Sequence, residues 1–115
     1  MISKRMVIMR QKMRIIDISR DLTSYDFYSN VLPRIVNLED AEIILDMSNT
    51  KRIEPLVVPN LLCLAFEQKM KQQKRLTLSI PDTVSGGMIR HYLYEIGFIK
   101  YAYKFDLYDF QYNPY

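Results

Sequence analysis

The residue types that this sequence has in small number exclude several classes of protein before any motif is considered. Its 115 residues include one cysteine, one histidine, three glycines, five prolines and no tryptophan. A single cysteine forms no internal disulfide, so the fold does not depend on an oxidising compartment. With so little glycine and proline, the composition is neither collagen-like nor that of a flexible linker. The low content of cysteine, glycine and proline predicts a compact domain without disulfides.

Long apolar stretches are scarce as well. The longest near-apolar run, residues 56–66, is interrupted by Pro59 and Asn60 and is too short to cross a bilayer. The first ten residues are basic but contain no apolar stretch of signal-peptide length. We therefore expect a cytoplasmic protein without membrane contact. The composition, 49% hydrophobic and 25% charged, is typical of one globular domain over residues 1–115.

Positive charge is concentrated at the start of the chain. Residues 1–20 hold six basic residues and one acidic residue, whereas the net charge of the whole chain is +3. A basic end can attract phosphate backbones through counterion release. The alternative is that these side chains lie on two edge strands, where charge prevents sheets from aggregating. We favour edge strands, because the segment contains no nucleic-acid-binding motif.

Hydrophobic periodicity predicts alternating strands and helices. The predicted strands cover residues 6–10, 13–18, 41–47, 75–80 and 104–110. The predicted helices cover residues 25–38, 56–70 and 85–96, the first kinked at Pro33 and the last ended by a left-handed Gly97. The helix over residues 56–70 is apolar on nearly every side, which suits deep packing against a sheet. This order predicts an α/β fold with a mostly parallel or mixed sheet.

Enzyme signatures are absent from the sequence. Cysteine–histidine catalysis would depend on the one pair of Cys63 and His91, and no spacing of these residue types is typical of a metal site. Cys63 lies in the most apolar part of the chain, which predicts an inert core residue. His91 lies between Arg90 and Tyr92 on a predicted helix, which favours a solvent-facing side chain. We expect no catalytic residues, no metal and no cofactor.

Ser85, Gly86 and Gly87 form a weak candidate for phosphate binding. Glycines before a helix expose backbone N–H groups, and a helix N-terminus attracts anions. However, no lysine followed by serine or threonine comes next, and the G-x-G-x-x-G pattern is missing. A flexible start to the helix is the simpler interpretation.

Tyrosine is concentrated near the C-terminus, where seven of the nine tyrosines fall in the last quarter of the chain. Tyrosine is common at interfaces because it buries an apolar ring while its hydroxyl stays in water. It can also stack on nucleic-acid bases. A third interpretation is that several tyrosines close the core and others lie on the surface. The alternative function is therefore that of a small nucleic-acid-associated protein, which would use the basic N-terminal strands and this tyrosine-rich end.

Residues 41–58 resemble the central signature of a STAS domain, the domain shared by sulphate transporters and anti-sigma factor antagonists. In that family a buried strand ends in Asp-hydrophobic-Ser, and an acidic residue some six residues later begins a helix. The residues at those places here are Asp46, Met47, Ser48 and Glu54. Residues 92–98 also resemble the bacterial STAS-like domains that stand beside, or are fused to, histidine-kinase-type ATPases. The resemblance covers roughly residues 14–100.

The resemblance implies a STAS-like α/β domain over residues 1–115, with a mixed sheet of four to five strands and about three helices, mainly on one face. It also implies a non-catalytic signalling module that binds a protein partner through the strand-to-helix loop. The expected partner is a histidine-kinase-type ATPase domain, which often follows the STAS-like domain in such chains. The residues that would line this surface are Asn49, Lys51, Arg52, Glu54 and Leu56.

The chain departs from the family at the regulatory serine. In the antagonists the acidic residue is followed by two serines and a glycine, and the second serine is the phosphorylation site. Pro55, Leu56 and Val57 stand at these positions here. Because Leu56 has no hydroxyl, the phosphoserine switch of the family cannot operate there. Hydroxyls remain nearby on Ser48 and Thr50, and we expect Ser48 to satisfy backbone groups at the strand end.

Overall fold

Parallel strands joined by helical crossovers make up the fold, which a computed structural model describes for residues 12–38, 41–81 and 84–113. The strands are β1 (Lys12–Asp17), β2 (Asp21–Leu22), β3 (Ala41–Asp46), β4 (Arg52–Ile53), β5 (Leu76–Pro81) and β6 (Tyr108–Asn113). The principal sheet has the order β1–β3–β5–β6, and all three pairings are parallel. A second, two-stranded sheet pairs β2 with β4, also in parallel. The predicted α/β class is confirmed, and the expectation of a mixed sheet is wrong for the strands described.

Four helices connect these strands. They are α1, with the consecutive segments Ser24–Asp26, Phe27–Val31 and Leu32–Val36, then α2 (Val57–Gln72), α3 (Val84–Glu95) and α4 (Phe98–Lys104). Gly97 takes the predicted left-handed conformation, with φ of 85°, and α4 begins directly after it. The sequence analysis did not predict α4, and it placed the last strand at residues 104–110, four residues before β6 begins. The strand predicted at residues 6–10 lies outside the described residues.

Near Pro33, where a kink was predicted, α1 contains a π-helical turn. Proline has no N–H group, and in a regular α-helix its ring clashes with the carbonyl four residues earlier. The central segment of α1 is π-helical, and the N–H of Leu32 donates to the carbonyl of Phe27, five residues earlier. This wider turn stands immediately before Pro33, so the helix continues through the proline without a break.

The principal sheet buries one face under the helices and leaves much of the other open. Ile16, Leu45 and Leu78 are neighbours in register on the helix side, and all three are buried. On the opposite face Ile15 is exposed, and its neighbour Ile44 is half-buried. Each crossover steps in the same direction across the sheet, so right-handed connections place the helices on one face. The core therefore lies between this helical layer and one face of the sheet.

The two-residue strands were missed by the sequence analysis. Residues 19–24 and 48–52 are mostly polar and therefore typical of turns, yet β2 lies within the first segment and β4 begins at the end of the second. Each strand contributes one buried apolar residue, Leu22 or Ile53, next to a charged one. Two residues are too few to show a period of two, so the alternation that reveals longer strands does not appear.

Candidate partner-binding site

The loops that follow the parallel strands meet at one edge of the sheet. In open α/β sheets, ligands bind beyond the carboxyl ends of the strands. At this edge β1 leads into α1, and β3 leads into α2. The β3–α2 connection contains residues 49–56, which we call the 49–56 loop, and it holds all the residues that the sequence assigned to partner binding.

Backbone hydrogen bonds tie the 49–56 loop to the connection between β1 and α1. The N–H groups of Lys51 and Arg52 both donate to the carbonyl of Arg20, at 2.8 and 3.1 Å. The N–H of Glu54 donates to the carbonyl of Leu22 at 2.9 Å. These bonds and the β2–β4 pairing fix the course of the loop on both sides of β4.

Two polar side chains stabilise the same loop from within. Thr50 is 1% exposed, and its hydroxyl donates to the carbonyl of Ser19 at 3.0 Å. The carboxylate of Asp46 accepts hydrogen bonds from the N–H and the hydroxyl of Ser48, with the N–H at 2.9 Å. Ser48 therefore bonds to a carboxylate at the strand end and not to the backbone acceptor that we expected. The burial of Thr50 keeps its hydroxyl from a modifying enzyme in the folded state.

Four of the five predicted partner-binding residues are exposed, and the fifth is half-buried. Asn49, Lys51, Arg52 and Leu56 are exposed, and Leu56 has 67% of its surface open to solvent. Glu54 turns inward, where its carboxylate accepts hydrogen bonds from the N–H and the hydroxyl of Ser24, at 3.1 and 3.2 Å. Negative charge at a helix N-terminus is favourable, so Glu54 supports the start of α1. Glu54 is half-buried, and its place in a partner-binding surface stays a prediction.

A groove runs between the basic part of the loop and α3. It has a volume of about 350 Å³, and it is lined by Lys51, Arg52, Ile53, Met88, Ile89 and Tyr92. Met88, Ile89 and Tyr92 recur at helical spacing in the sequence, which predicts that all three lie on one apolar side of the helix. Met88 is instead exposed, and Tyr92 is half-buried. Each of them comes one residue before a buried position, so its side chain points to a different side of the helix. This one-residue offset is the feature of the sequence that could have indicated that Met88 and Tyr92 lie outside the core.

The weak phosphate-binding candidate lies in the first turn of α3, just before this groove. Ser85, Gly86 and Gly87 belong to α3, which begins at Val84, and Met88 of the groove follows them directly. The structure thus brings the start of α3 close to the basic end of the 49–56 loop. The side chains of residues 81–87 lie outside the described part of the structure, so phosphate binding there stays a prediction.

The other end of the loop faces α1. The carbonyl of Leu56 accepts a hydrogen bond from the side-chain amide of Asn60 at 2.7 Å. The amide oxygen of Asn60 accepts a hydrogen bond from the hydroxyl of Tyr28 at 2.9 Å. The exposed side chain of Leu56 therefore stands beside a fixed polar link between α1 and α2, at the opposite end of the loop from Lys51.

The single cysteine and the single histidine lie apart on different helices. Cys63, on α2, is exposed, so its assignment to the core is wrong. His91, on α3, is exposed as predicted, and its Nε2 lies 3.6 Å from Oε1 of Glu95. Among the described residues, no three His, Cys, Asp or Glu side chains are grouped so that they could hold a metal ion.

The C-terminal tyrosines divide between core and surface. Tyr108 is buried, and its hydroxyl donates to the carbonyl of Leu61 at 2.7 Å. Tyr94, Tyr101 and Tyr103 are exposed on α3 and α4. Tyr115 lies outside the described residues. Within the described part, the tyrosines thus occupy several different surroundings.

Comparison with known proteins gives no relative from which a function could be transferred. No family model, no curated protein and no solved structure matches the chain. Of the helices that the structure describes, none combines the length and the hydrophobicity needed to cross a bilayer.

Proposed function

We propose that this chain is a non-catalytic regulatory module that binds a protein partner through the 49–56 loop. The observation that carries the proposal is the exposure of Asn49, Lys51, Arg52 and Leu56 on a backbone that is hydrogen-bonded on both sides. A loop held in one conformation presents its side chains before a partner arrives. Less conformational entropy is then lost on binding, which favours affinity.

The chemistry of the loop indicates what the partner surface must supply. Lys51 and Arg52 are cations at one end, and Nε of Arg52 lies 3.6 Å from a carboxylate oxygen of the exposed Asp21. Leu56 offers an apolar anchor at the other end. A partner with acidic groups opposite the cations and an apolar pocket for Leu56 would match both features. The resemblance to STAS-like domains adds the class of partner, a histidine-kinase-type ATPase.

Regulation would differ from that of the antagonist family. Leu56 offers no hydroxyl to phosphorylate, and the nearby hydroxyl of Thr50 is buried and hydrogen-bonded to the backbone. We therefore propose that release is governed by the partner. An ATPase whose nucleotide state changes its affinity for the loop would supply such control.

The test is a pull-down from lysate of the source cell, with and without ATP, followed by mass spectrometry. The baits are the wild-type chain, the variant Arg52→Glu/Leu56→Asp, and a matched control, Lys100→Glu/Tyr94→Asp. The control introduces the same two kinds of change on α3 and α4. All four positions are exposed, so both variants should melt within a few degrees of the wild type.

We expect the wild type and the control to retain an ATPase and the loop variant to lose it by tenfold or more. A binding difference between the ATP-containing and ATP-free samples would support control by the nucleotide state. Equal recovery by the loop variant and the control would contradict the assignment of the surface. Absence of any ATPase from all three samples would contradict the proposed partner.

The nucleic-acid alternative is tested by the same samples. Of the basic residues it invokes, Arg14 is exposed on β1, whereas residues 1–11 lie outside the described residues. If all three baits retain mainly nucleic acid, binding should weaken steeply with salt. It should also disappear when Arg10, Lys12 and Arg14 are replaced by glutamate. That result would favour the alternative over the interaction module.

A further inference from the structure

α2 carries a second apolar stripe that the sheet does not cover. Its buried side, which includes Leu61 and Leu64, packs into the core. Cys63, Phe66 and Met70 follow one another at intervals of three and four residues, so they form a stripe on another side of the helix. Phe66 is 51% exposed and Met70 is 66% exposed. The stripe is therefore an apolar surface that the described residues leave largely exposed, on a helix whose other side is packed into the core.

α4 and the segment after it extend this stripe into a groove. The rings of Tyr101 and Phe105 stack with centroids 5.9 Å apart and planes 12° from parallel, and both side chains are exposed. The groove between α2 and α4 has a volume of about 420 Å³, and it is lined by Leu62, Cys63, Phe66, Glu67, Tyr101, Phe105 and Leu107. Exposed aromatic and methionine side chains grouped in this way are typical of the centre of a protein interface.

The rim of this groove carries charge of both signs. Glu67 lines it on the α2 side and is exposed. On the α4 side, Nζ of Lys104 lies 5.5 Å from the centre of the Phe105 ring. A two-fold axis that lays α2 of one copy over α4 of another would bring Glu67 of each copy towards Lys104 of the other. A strongly acidic or strongly basic partner would find a repelling charge at one side of the groove.

We propose that the α2–α4 groove is the interface of a two-fold symmetric dimer of this chain. Two-fold interfaces are self-complementary, so each favourable contact occurs twice. The apolar stripe and the stacked rings would form the dry centre, and the pairs of Glu67 with Lys104 would form the rim. The groove begins at Leu62, beyond the 49–56 loop, so the proposal does not depend on the proposed function.

Sedimentation over a wide range of protein concentration tests the apolar centre. We expect the wild-type chain to dimerise, and Phe66→Ser to raise the dimer dissociation constant by about a hundredfold, because a central aromatic is lost from both copies. Tyr94→Ser removes another exposed aromatic side chain, from α3, and should leave the dissociation constant unchanged. A wild-type chain that stays monomeric at the highest concentration overturns the proposal, as does a Phe66→Ser variant that dimerises as well as the wild type.

Charge reversal tests the symmetry. Glu67→Lys alone and Lys104→Glu alone should each weaken dimerisation by about tenfold, because two attractive pairs become repulsive. An equal mixture of the two variants should restore it, since each unlike pair of chains then contains both attractive contacts. Neither change lies in the core, so folding is preserved in both variants. If the mixture dimerises no more tightly than either variant alone, the two-fold arrangement is overturned.

Discussion

The 49–56 loop contains two kinds of residue. The side chains of some form hydrogen bonds that stabilise the loop, and the side chains of others are exposed to solvent. Thr50 and Glu54 are polar residues in a polar segment, yet their side chains bond to Ser19 and Ser24. Lys51 and Arg52 lie between them in the sequence and are exposed. We therefore expect substitutions of Thr50 and Glu54 to affect stability, and substitutions of the exposed residues to affect binding. Experiments on partner binding should substitute the exposed residues.

Tyr108 gives a residue-scale prediction about pH. Burial raises the pKa of the Tyr108 phenol well above its ordinary range, and its hydroxyl donates to the carbonyl of Leu61. In the unfolded chain a tyrosine titrates near pH ~10. The stability that the neutral phenol contributes is therefore complete below that pH, and it is lost progressively as the pH rises above it. The loss has a slope of at most about 1.4 kcal/mol per pH unit.

Urea denaturation at a series of pH values measures this effect. At pH ~7 we expect Tyr108→Phe to be less stable than the wild type by about 1 kcal/mol, because a buried hydrogen bond is missing. Above pH ~10 the wild type should lose stability more steeply than the variant. Tyr94→Phe, at an exposed position, should follow the wild type throughout. Parallel curves for wild type and Tyr108→Phe would contradict the assignment.

At the scale of helices and strands, the sequence predicts those elements whose apolar residues repeat with a clear period. The apolar run Ile43–Leu45 and the alternation of Leu76, Leu78 and Ile80 identify β3 and β5, since several residues repeat the pattern. α4 has only seven residues after Gly97 and is rich in aromatic residues, which are also common in strands. Its position depends on packing against α2 and α3, which local sequence does not contain. The strands and helices with a clear hydrophobic period were thus predicted, whereas α4 and the two-residue strands were not.

The end of α2 gives an element-scale prediction. Gln73 follows the helix in a left-handed conformation, with φ of 54°, and its N–H donates to the carbonyl of Lys69 at 3.0 Å. Glycine adopts this conformation without the steric cost that a Cβ atom brings. We expect Gln73→Gly to raise the free energy of unfolding by about 0.5–1 kcal/mol.

The matched control for Gln73→Gly is Lys71→Gly, two residues earlier and still inside α2. Glycine in a helix interior costs about 1 kcal/mol, so this variant should be less stable than the wild type. Both free energies are obtained from urea denaturation. A destabilised Gln73→Gly would show that the left-handed backbone is not the main cost at this position.

At the scale of the whole molecule, the fold is a single helical layer on one face of a parallel sheet. The α/β class followed from the sequence, because strand and helix patterns alternate along it. The candidate site was predicted only in part from the sequence. The 49–56 loop was found through a resemblance, but Met88 and Tyr92 of the adjoining groove were not, because their proximity to Lys51 depends on tertiary contacts. The hydrogen bonds of Glu54 to Ser24 were not predicted either, since the two residues are 30 positions apart in the sequence.

The one-sided sheet predicts opposite responses at two neighbouring positions of β1. Ile16 faces the helices and is 3% exposed, whereas Ile15 faces away and is 56% exposed. Ile16→Ala should lower the free energy of unfolding by about 2–5 kcal/mol, because it removes buried methyl groups and leaves a cavity. Ile15→Ala should cost less than about 1 kcal/mol. Equal losses in urea denaturation would show that a further layer covers the second face.

The order of the strands also bears on how the chain folds. Paired residues in the principal sheet, such as Ile15 with Ile44, Leu45 with Leu78 and Leu78 with Phe110, are 29, 33 and 32 positions apart. No strand pair among the described residues is a hairpin, so every pairing requires closure of a loop of about 30 residues. Helices form from local contacts in microseconds or less, well before such loops yield stable strand pairs. We therefore expect strand pairing across these crossovers, and not helix formation, to limit the folding rate of this chain.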